Sequence, residues 1–227
     1  VHTDSIDASE DKQTTKLLVG DVLYAKAFET LLGPGTECDR QQEAFQTLVT
    51  VSRQLCEGHF LRHEYERQDN ITEESYLSVV RLTNGAIGGA AGRLGVTVAG
   101  GSERLARQAE TYGRALGIAI GLHDDVCALL DCLPILGHRQ RHTPIQNLAT
   151  IHAREEDIPI DRLVLFGNNT DRVVAELDRA KSLIYARDQI ADRASSARGA
   201  LLEFPETDAV EKLHTLPEKV VERSSWY

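Results

Sequence analysis

Apolar side chains recur along this chain at steps of three and four, the spacing of one buried helix face. The clearest run is Leu105, Ala109, Tyr112, Leu116, Ala119, His123, Val126 and Leu130. Ser102 is placed to cap the start of that helix and Pro134 to end it. Further helices are expected from about Thr14 to Leu32, ending at Gly33-Pro34-Gly35, and from Cys38 to about Arg67. Thr72 precedes Glu73 and Glu74, so a helix starts there with acidic residues at its positive end. That helix carries Gly85, Gly88, Gly89, Ala90, Ala91 and Gly92, small residues that let a neighbour approach closely. Gly167-Asn168-Asn169 reads as a turn, with Thr170 capping a long helix toward Gly199. Pro205 interrupts the pattern before a last helix over Thr207 to Arg223. No alternating strand pattern exceeds four residues and no repeat or linker is visible, so residues 1–227 read as one all-α domain.

Composition sharpens this picture in three ways. Aromatic residues are only 5% of the 227, so Leu, Val, Ile and Ala must fill the core, which favours helices. The net charge of -10 opposes binding to nucleic-acid phosphate or anionic lipid, although a divalent cation reverses the local sign for a phosphorylated ligand. Residues 85–101 are the most apolar stretch, but Arg93 interrupts them, so no membrane span is expected. Cys38, Cys56, Cys127 and Cys132 lack zinc-knuckle or redox-pair spacing and read as cytosolic thiols. His59, His63, His138, His142 and His152 form no convincing zinc set. The sequence contains no methionine, even at position 1, so it reads as trimmed or as a fragment.

Two acidic clusters carry candidate chemistry. Asp4, Asp7 and Asp11 are spaced i, i+3, i+7 and share one helix face. Asp124 and Asp125, with Asp131 beyond them, lie within the helix that carries the strongest apolar stripe, Asp124 near that stripe. Carboxylates there are costly to bury without a metal, a cation or a water-filled cavity. Magnesium accepts a few carboxylates and takes its other ligands from water and phosphate oxygens, so two such clusters suit a bound diphosphate. Solvated acidic faces are the plain alternative for both. The glycines at 85–92 fit neither a P-loop nor a dinucleotide fingerprint, and close helix packing explains them better.

Three segments in register resemble the trans-isoprenyl (polyprenyl) diphosphate synthase family. Gly20-Asp21-Val-Leu-Tyr-Ala-Lys-Ala-Phe28 is similar to that family's glycine-aspartate helix. Tyr112 through Asp124-Asp125 is similar to the helix ending in its second aspartate-rich motif. Ala200 through Leu213, on to Arg223, is similar to its C-terminal helix pair. The resemblance implies an all-α helical bundle around a central cavity, with two aspartate motifs gripping an allylic diphosphate through magnesium. Ionisation and attack by isopentenyl diphosphate would follow. Carried over residue by residue, it implies Asp4, Asp7, Asp124 and Asp125 as catalytic residues. Asp4, Asp7 and Asp124 would hold the metal, and Thr83, Arg139, Arg141 and His142 would contact substrate.

The chain departs from that pattern. The first motif reads Thr3-Asp4-Ser5-Ile6-Asp7, and Ala8 to Lys16 is too short for the arginine pair that follows in the family. The lysine-threonine pair reads Leu82-Thr83, and the phenylalanine-glutamine pair reads Ile120-Gly121. The second motif ends in Ala128 instead of aspartate, and a glycine-lysine-threonine reads Arg141-His142-Thr143. The family's N-terminal helices are absent, so exposed apolar surface is expected, with a homodimer, a heteromer with an intact synthase or an unseen N-terminal segment to cover it. The expected function is a cytoplasmic, magnesium-dependent prenyltransferase acting on allylic and isopentenyl diphosphates. The alternative is a catalytically silent partner subunit or prenyl-diphosphate binder, and a terpenoid cyclase is a further reading.

Overall fold

The computed structural model describes residues 3–31, 38–68, 70–130, 146–160 and 170–226, with side chains from residue 14 onward and not at 38 or 170. Every described secondary-structure element is helical. Two compact units divide the chain, residues 1–46 and 47–227.

The first unit holds α1, Thr3–Leu31, and the start of α2, Cys38–Tyr65. The sequence reading starts its first helix near Thr14, but α1 begins eleven residues earlier, at Thr3. No glycine or proline falls between Thr3 and Val19, and Ala8, Glu10, Lys12, Gln13 and Lys16 are sound helix formers, so nothing halts propagation. Tyr24 and Phe28 meet edge to face at 4.8 Å, and Phe28 tilts against Phe45 at 5.2 Å. Leu17, Leu18, Val22 and Leu23 are exposed.

In the second unit, α3 (Glu73–Val80) starts where expected: Thr72 is its N-cap and its hydroxyl accepts from the Ser75 amide. A single π turn, Arg81–Gly85, then leads into α4, Ala86–Val98. The glycine segment thus begins in a widened turn instead of regular α-helix. Ser102 caps α5, Glu103–Leu130, by accepting from the Leu105 amide. The remaining elements are α6, Leu148–Glu155, α7, Thr170–Arg179, α8, Ser182–Ala200, and α9, Asp208–Arg223. Thr207 caps α9 through the Val210 amide.

The long helix expected from Thr170 to Gly199 is two helices. Lys181 adopts a left-handed backbone (φ 56°) between α7 and α8. Neither glycine nor proline marks that break. Ser182 is fully buried beside it, with Oγ 3.1 Å from His152 Nδ1, so tertiary contact accompanies the turn.

The core gathers around α5. Ile118, Ala119, Leu122, Val126 and Leu129 pack with Tyr76 and Val80 of α3, Leu148 and Ile151 of α6, Leu177 of α7, Leu183 and Ile190 of α8, and Val220 of α9. Helices α4 and α5 meet backbone to backbone. A Cβ on Gly88 would fall onto the Gly113 carbonyl, and one on Gly92 onto the Ala109 carbonyl. Arg93 clasps the same pair by binding Glu103 and Glu110. No described helix is long and apolar enough to cross a membrane.

Candidate functional site

One side of α5 differs from the rest of that helix. Gly117, Gly121, Asp124 and Ala128 fall at i, i+4, i+7 and i+11, so they line up along it. Gly117, Asp124 and Ala128 are half-buried, whereas Leu122, His123, Asp125, Val126 and Cys127 are buried. The neighbouring aspartates therefore have different surroundings. Asp124 lies at the accessible side and Asp125 points into the packed interior, 2% exposed.

Asp125 is held from two elements. The buried Tyr76 hydroxyl donates to its Oδ2 at 2.8 Å. Arg62 of α2 places Nη1 3.7 Å from its Oδ1. A cation and a hydroxyl together offset the cost of burying this carboxylate. Burial first, then the charge of Asp125 and its hydrogen bond, push the Tyr76 hydroxyl well above the usual tyrosine range, with Arg62 opposing. Neither Tyr76 nor Arg62 belongs to the sequence-derived site. Their only signal in the sequence is a tyrosine and an arginine within otherwise helical patterns.

Thr83 lies in the π turn and is 4% exposed. Its methyl group lies where a side chain on Gly58 would need to be. Its one hydroxyl proton is shared between the Val79 carbonyl at 2.8 Å and Asn84 Oδ1 at 3.1 Å. Asn84 reaches over Gly121, where an added Cβ would stand 2.7 Å from Asn84 Cγ. The structure thus brings Asn84 onto α5 one turn before Asp124, while Thr83 beside it faces Gly58 of α2.

Just before the aspartates, His123 is 1% exposed. Its Nδ1 lies 3.0 Å from Ser224 Oγ, and its Nε2 lies 3.2 Å from Cys127 Sγ. Trp226 stacks on the imidazole at 5.8 Å. The C-terminal end of the chain is therefore fastened to the helix that carries Asp124.

Asp4 and Asp7 occupy the first turns of α1, but their side chains lie outside the described residues. Arg139, Arg141 and His142 also lie outside them, as does Asp131. Among the described residues, no three His, Cys, Asp or Glu side chains converge as a metal cage. The magnesium chemistry considered above needs no such cage, because that ion is held by one or two carboxylates and completed by water and phosphate oxygens. Asp124 fits that use.

Known proteins bear on this arrangement. Residues 8–137, which include Thr83, Asp124 and Asp125, match the family model described as Polyprenyl synthetase. The chain is 30% identical over 216 residues to the geranylfarnesyl diphosphate synthase of Natronomonas pharaonis, covering 92% of this chain and 63% of that protein. It is 29% identical to a short chain isoprenyl diphosphate synthase of Methanothermobacter thermautotrophicus, covering 91% of this chain and 66% of that one. The chain thus spans under two thirds of the length of these relatives. In structure it is similar to the geranylgeranyl pyrophosphate synthetase of Geoglobus acetivorans, with a TM-score of 0.80 at 25% identity over 92% of this chain and 67% of that one. The synthetase from Pyrococcus horikoshii superposes with a TM-score of 0.78 at 26% identity over 90% of this chain and 66% of that one. The all-α isoprenoid synthase fold expected from the sequence is therefore shown. With the second aspartate pair inside a match that spans more than half of its residues, the chain belongs to the polyprenyl synthetase family.

Proposed function

We propose that this protein binds a prenyl diphosphate through magnesium at Asp124 and condenses it with isopentenyl diphosphate, as a cytoplasmic prenyltransferase. The placement of Asp124 on the accessible side of α5, with Asp125 anchored behind it, supports this reading most directly. Bound magnesium would neutralise the diphosphate and so assist its departure from the allylic carbon. The chain's own residues have separate tasks. Asp124 offers carboxylate oxygens for the ion. Asp125 holds the position of that turn through Tyr76 and Arg62. Asp4 and Asp7 on α1 are the remaining carboxylates of the proposed metal set, and Arg139, Arg141 and His142 the proposed phosphate contacts.

A second reading has its own support. Ala128 supplies no carboxylate on the accessible side of α5, Leu82 carries no charge, and Thr83 is hydrogen-bonded within its own helix. These favour a partner subunit that holds a prenyl diphosphate without turning it over. The exposed Leu17, Leu18, Val22 and Leu23 of α1 are consistent with pairing to a second copy or to an intact synthase.

Calorimetry with farnesyl diphosphate, with and without magnesium, tests both readings when isopentenyl diphosphate turnover is assayed on the same sample. Metal-dependent binding with turnover, both abolished by Asp124→Ala, is the expected result. Binding without turnover moves the conclusion to the silent partner. Turnover unchanged by Asp124→Ala overturns the role given to that residue.

A further inference from the structure

Asn84 stands where α3, the π turn and α5 meet, and neither the family resemblance nor the proposed metal set gives it a role. Its backbone carbonyl packs against Gly117, and its side chain lies across Gly121. An added Cβ at Gly121 would come within 3.0 Å of both Asn84 Cβ and Oδ1. The carboxamide therefore fills the space of the side chain that Gly121 lacks. Gly121 and Asp124 are three positions apart on α5, so the glycine that the carboxamide covers and Asp124 are neighbours on one side of that helix.

Asn84 Oδ1 lies 3.1 Å from Thr83 Oγ1, whose proton is shared with the Val79 carbonyl. The Nδ2 group makes no hydrogen bond among the described residues. Asn84 is half-buried, so this donor is neither sealed in the core nor free in bulk water. The π turn over Arg81–Gly85 is a second, independent feature. Such turns distort a helix at a cost and occur often at functional positions. The side chain two residues earlier, Leu82, is apolar and offers nothing to an anion.

We infer that Asn84 is a substrate-binding residue, its Nδ2 donating a hydrogen bond to a phosphate oxygen of the diphosphate held at Asp124. The inference rests on the diphosphate-binding reading given above and extends it to a residue of the π turn. A neutral amide suits this place, since hydrogen bonds to charged oxygens are about twice as strong as those between neutral groups.

The test uses magnesium pyrophosphate and farnesol as separate probes in calorimetry on the whole chain. Asn84→Ala should weaken magnesium pyrophosphate binding by roughly ten- to a hundredfold, the loss expected of one hydrogen bond to a charged group. Farnesol, which has no phosphate, should bind the variant as it binds the wild type. Asn84→Leu fills the same notch without a donor and should show the same selective loss, which guards against a cavity effect in the alanine variant. Unchanged pyrophosphate affinity in both single variants overturns the role of Asn84 while leaving the diphosphate-binding reading intact. Equal losses for pyrophosphate and farnesol assign Asn84 to packing and also overturn it. A wild-type chain that binds no magnesium pyrophosphate removes both readings together.

Discussion

The Tyr76 hydroxyl donates to Asp125 Oδ2 across 2.8 Å, joining α3 to α5 between residues 49 apart in the sequence. Both side chains are buried, and Arg62 adds a cation from α2. Removing one partner of a buried carboxylate leaves the other with an uncompensated desolvation cost. Tyr76→Phe should therefore lower stability by about 1–3 kcal/mol, read as a shift in the urea midpoint. A double-mutant cycle with Asp125→Asn should show that the two changes are not additive. Additive losses would mean that the hydroxyl and the carboxylate do not support each other.

The tyrosines also set how stability responds to alkali. Burial raises the Tyr112 pKa from 10.0 to about 12, and burial likewise pushes Tyr76 well above the usual tyrosine range. Tyr185 also rises to about 12, through burial and then its bond to Glu73. A folded-state pKa above the unfolded value means the unfolded chain releases its proton first as pH rises. The stabilising contribution is then complete below about pH 10 and is lost progressively toward about pH 12. The urea midpoint should fall between pH 9 and pH 11, and Tyr112→Phe should make that fall smaller. A wild-type midpoint independent of pH over this range would contradict the assignment.

The close approach of α4 to α5 gives a prediction of opposite signs at different glycines. An alanine at Gly88 or Gly113 would press its Cβ onto the facing backbone carbonyl, so the helices must separate. Overpacking of this kind costs about 1–3 kcal/mol or more. Gly95 of α4 and Gly199 of α8 have no heavy atom within 4 Å of an added Cβ and have ordinary helical backbones. Alanine there removes unfolded-state freedom and should stabilise by about 0.5–1 kcal/mol. Thermal melts of the four single variants would separate the two classes. Stabilisation by Gly88→Ala would show that the helices do not touch in this way.

Local signals in the sequence carried far, and long-range ones did not. Thr72, Ser102 and Thr207 cap the helices predicted for them because a cap depends on a few adjacent residues. The stripe through Ala109, Tyr112, Ala119, His123 and Val126 is buried because periodicity alone defines a helix face. The break at Lys181 was not legible, since an ordinary lysine takes the left-handed backbone there under tertiary contact. The different surroundings of Asp124 and Asp125 were not legible either. Adjacent carboxylates look alike in sequence, and only packing of Tyr76 and Arg62 onto one of them tells them apart. Asn84 drew no attention because its meaning depends on a glycine 37 residues away on another helix.

The group around His123 allows a last prediction. Ser224 Oγ donates to the Val220 carbonyl at 2.8 Å, so it accepts from His123 Nδ1–H. Nε2 faces the Cys127 sulfur at 3.2 Å, and Trp226 lies against the ring. Nitrogen chemical shifts should report a proton on Nδ1. Ser224→Ala would strand the buried Nδ1–H and should cost about 1–3 kcal/mol. Cys127 is 1% exposed beneath this cover, whereas Cys56 is exposed. Under iodoacetamide, peptide mapping should find Cys56 labelled quickly and Cys127 slowly in the folded chain. Trp226→Ala should speed labelling of Cys127 without changing Cys56. If Cys127 is labelled as fast as Cys56 in the wild type, the C-terminal residues do not cover His123, and α9 is not fastened to the aspartate helix at that point.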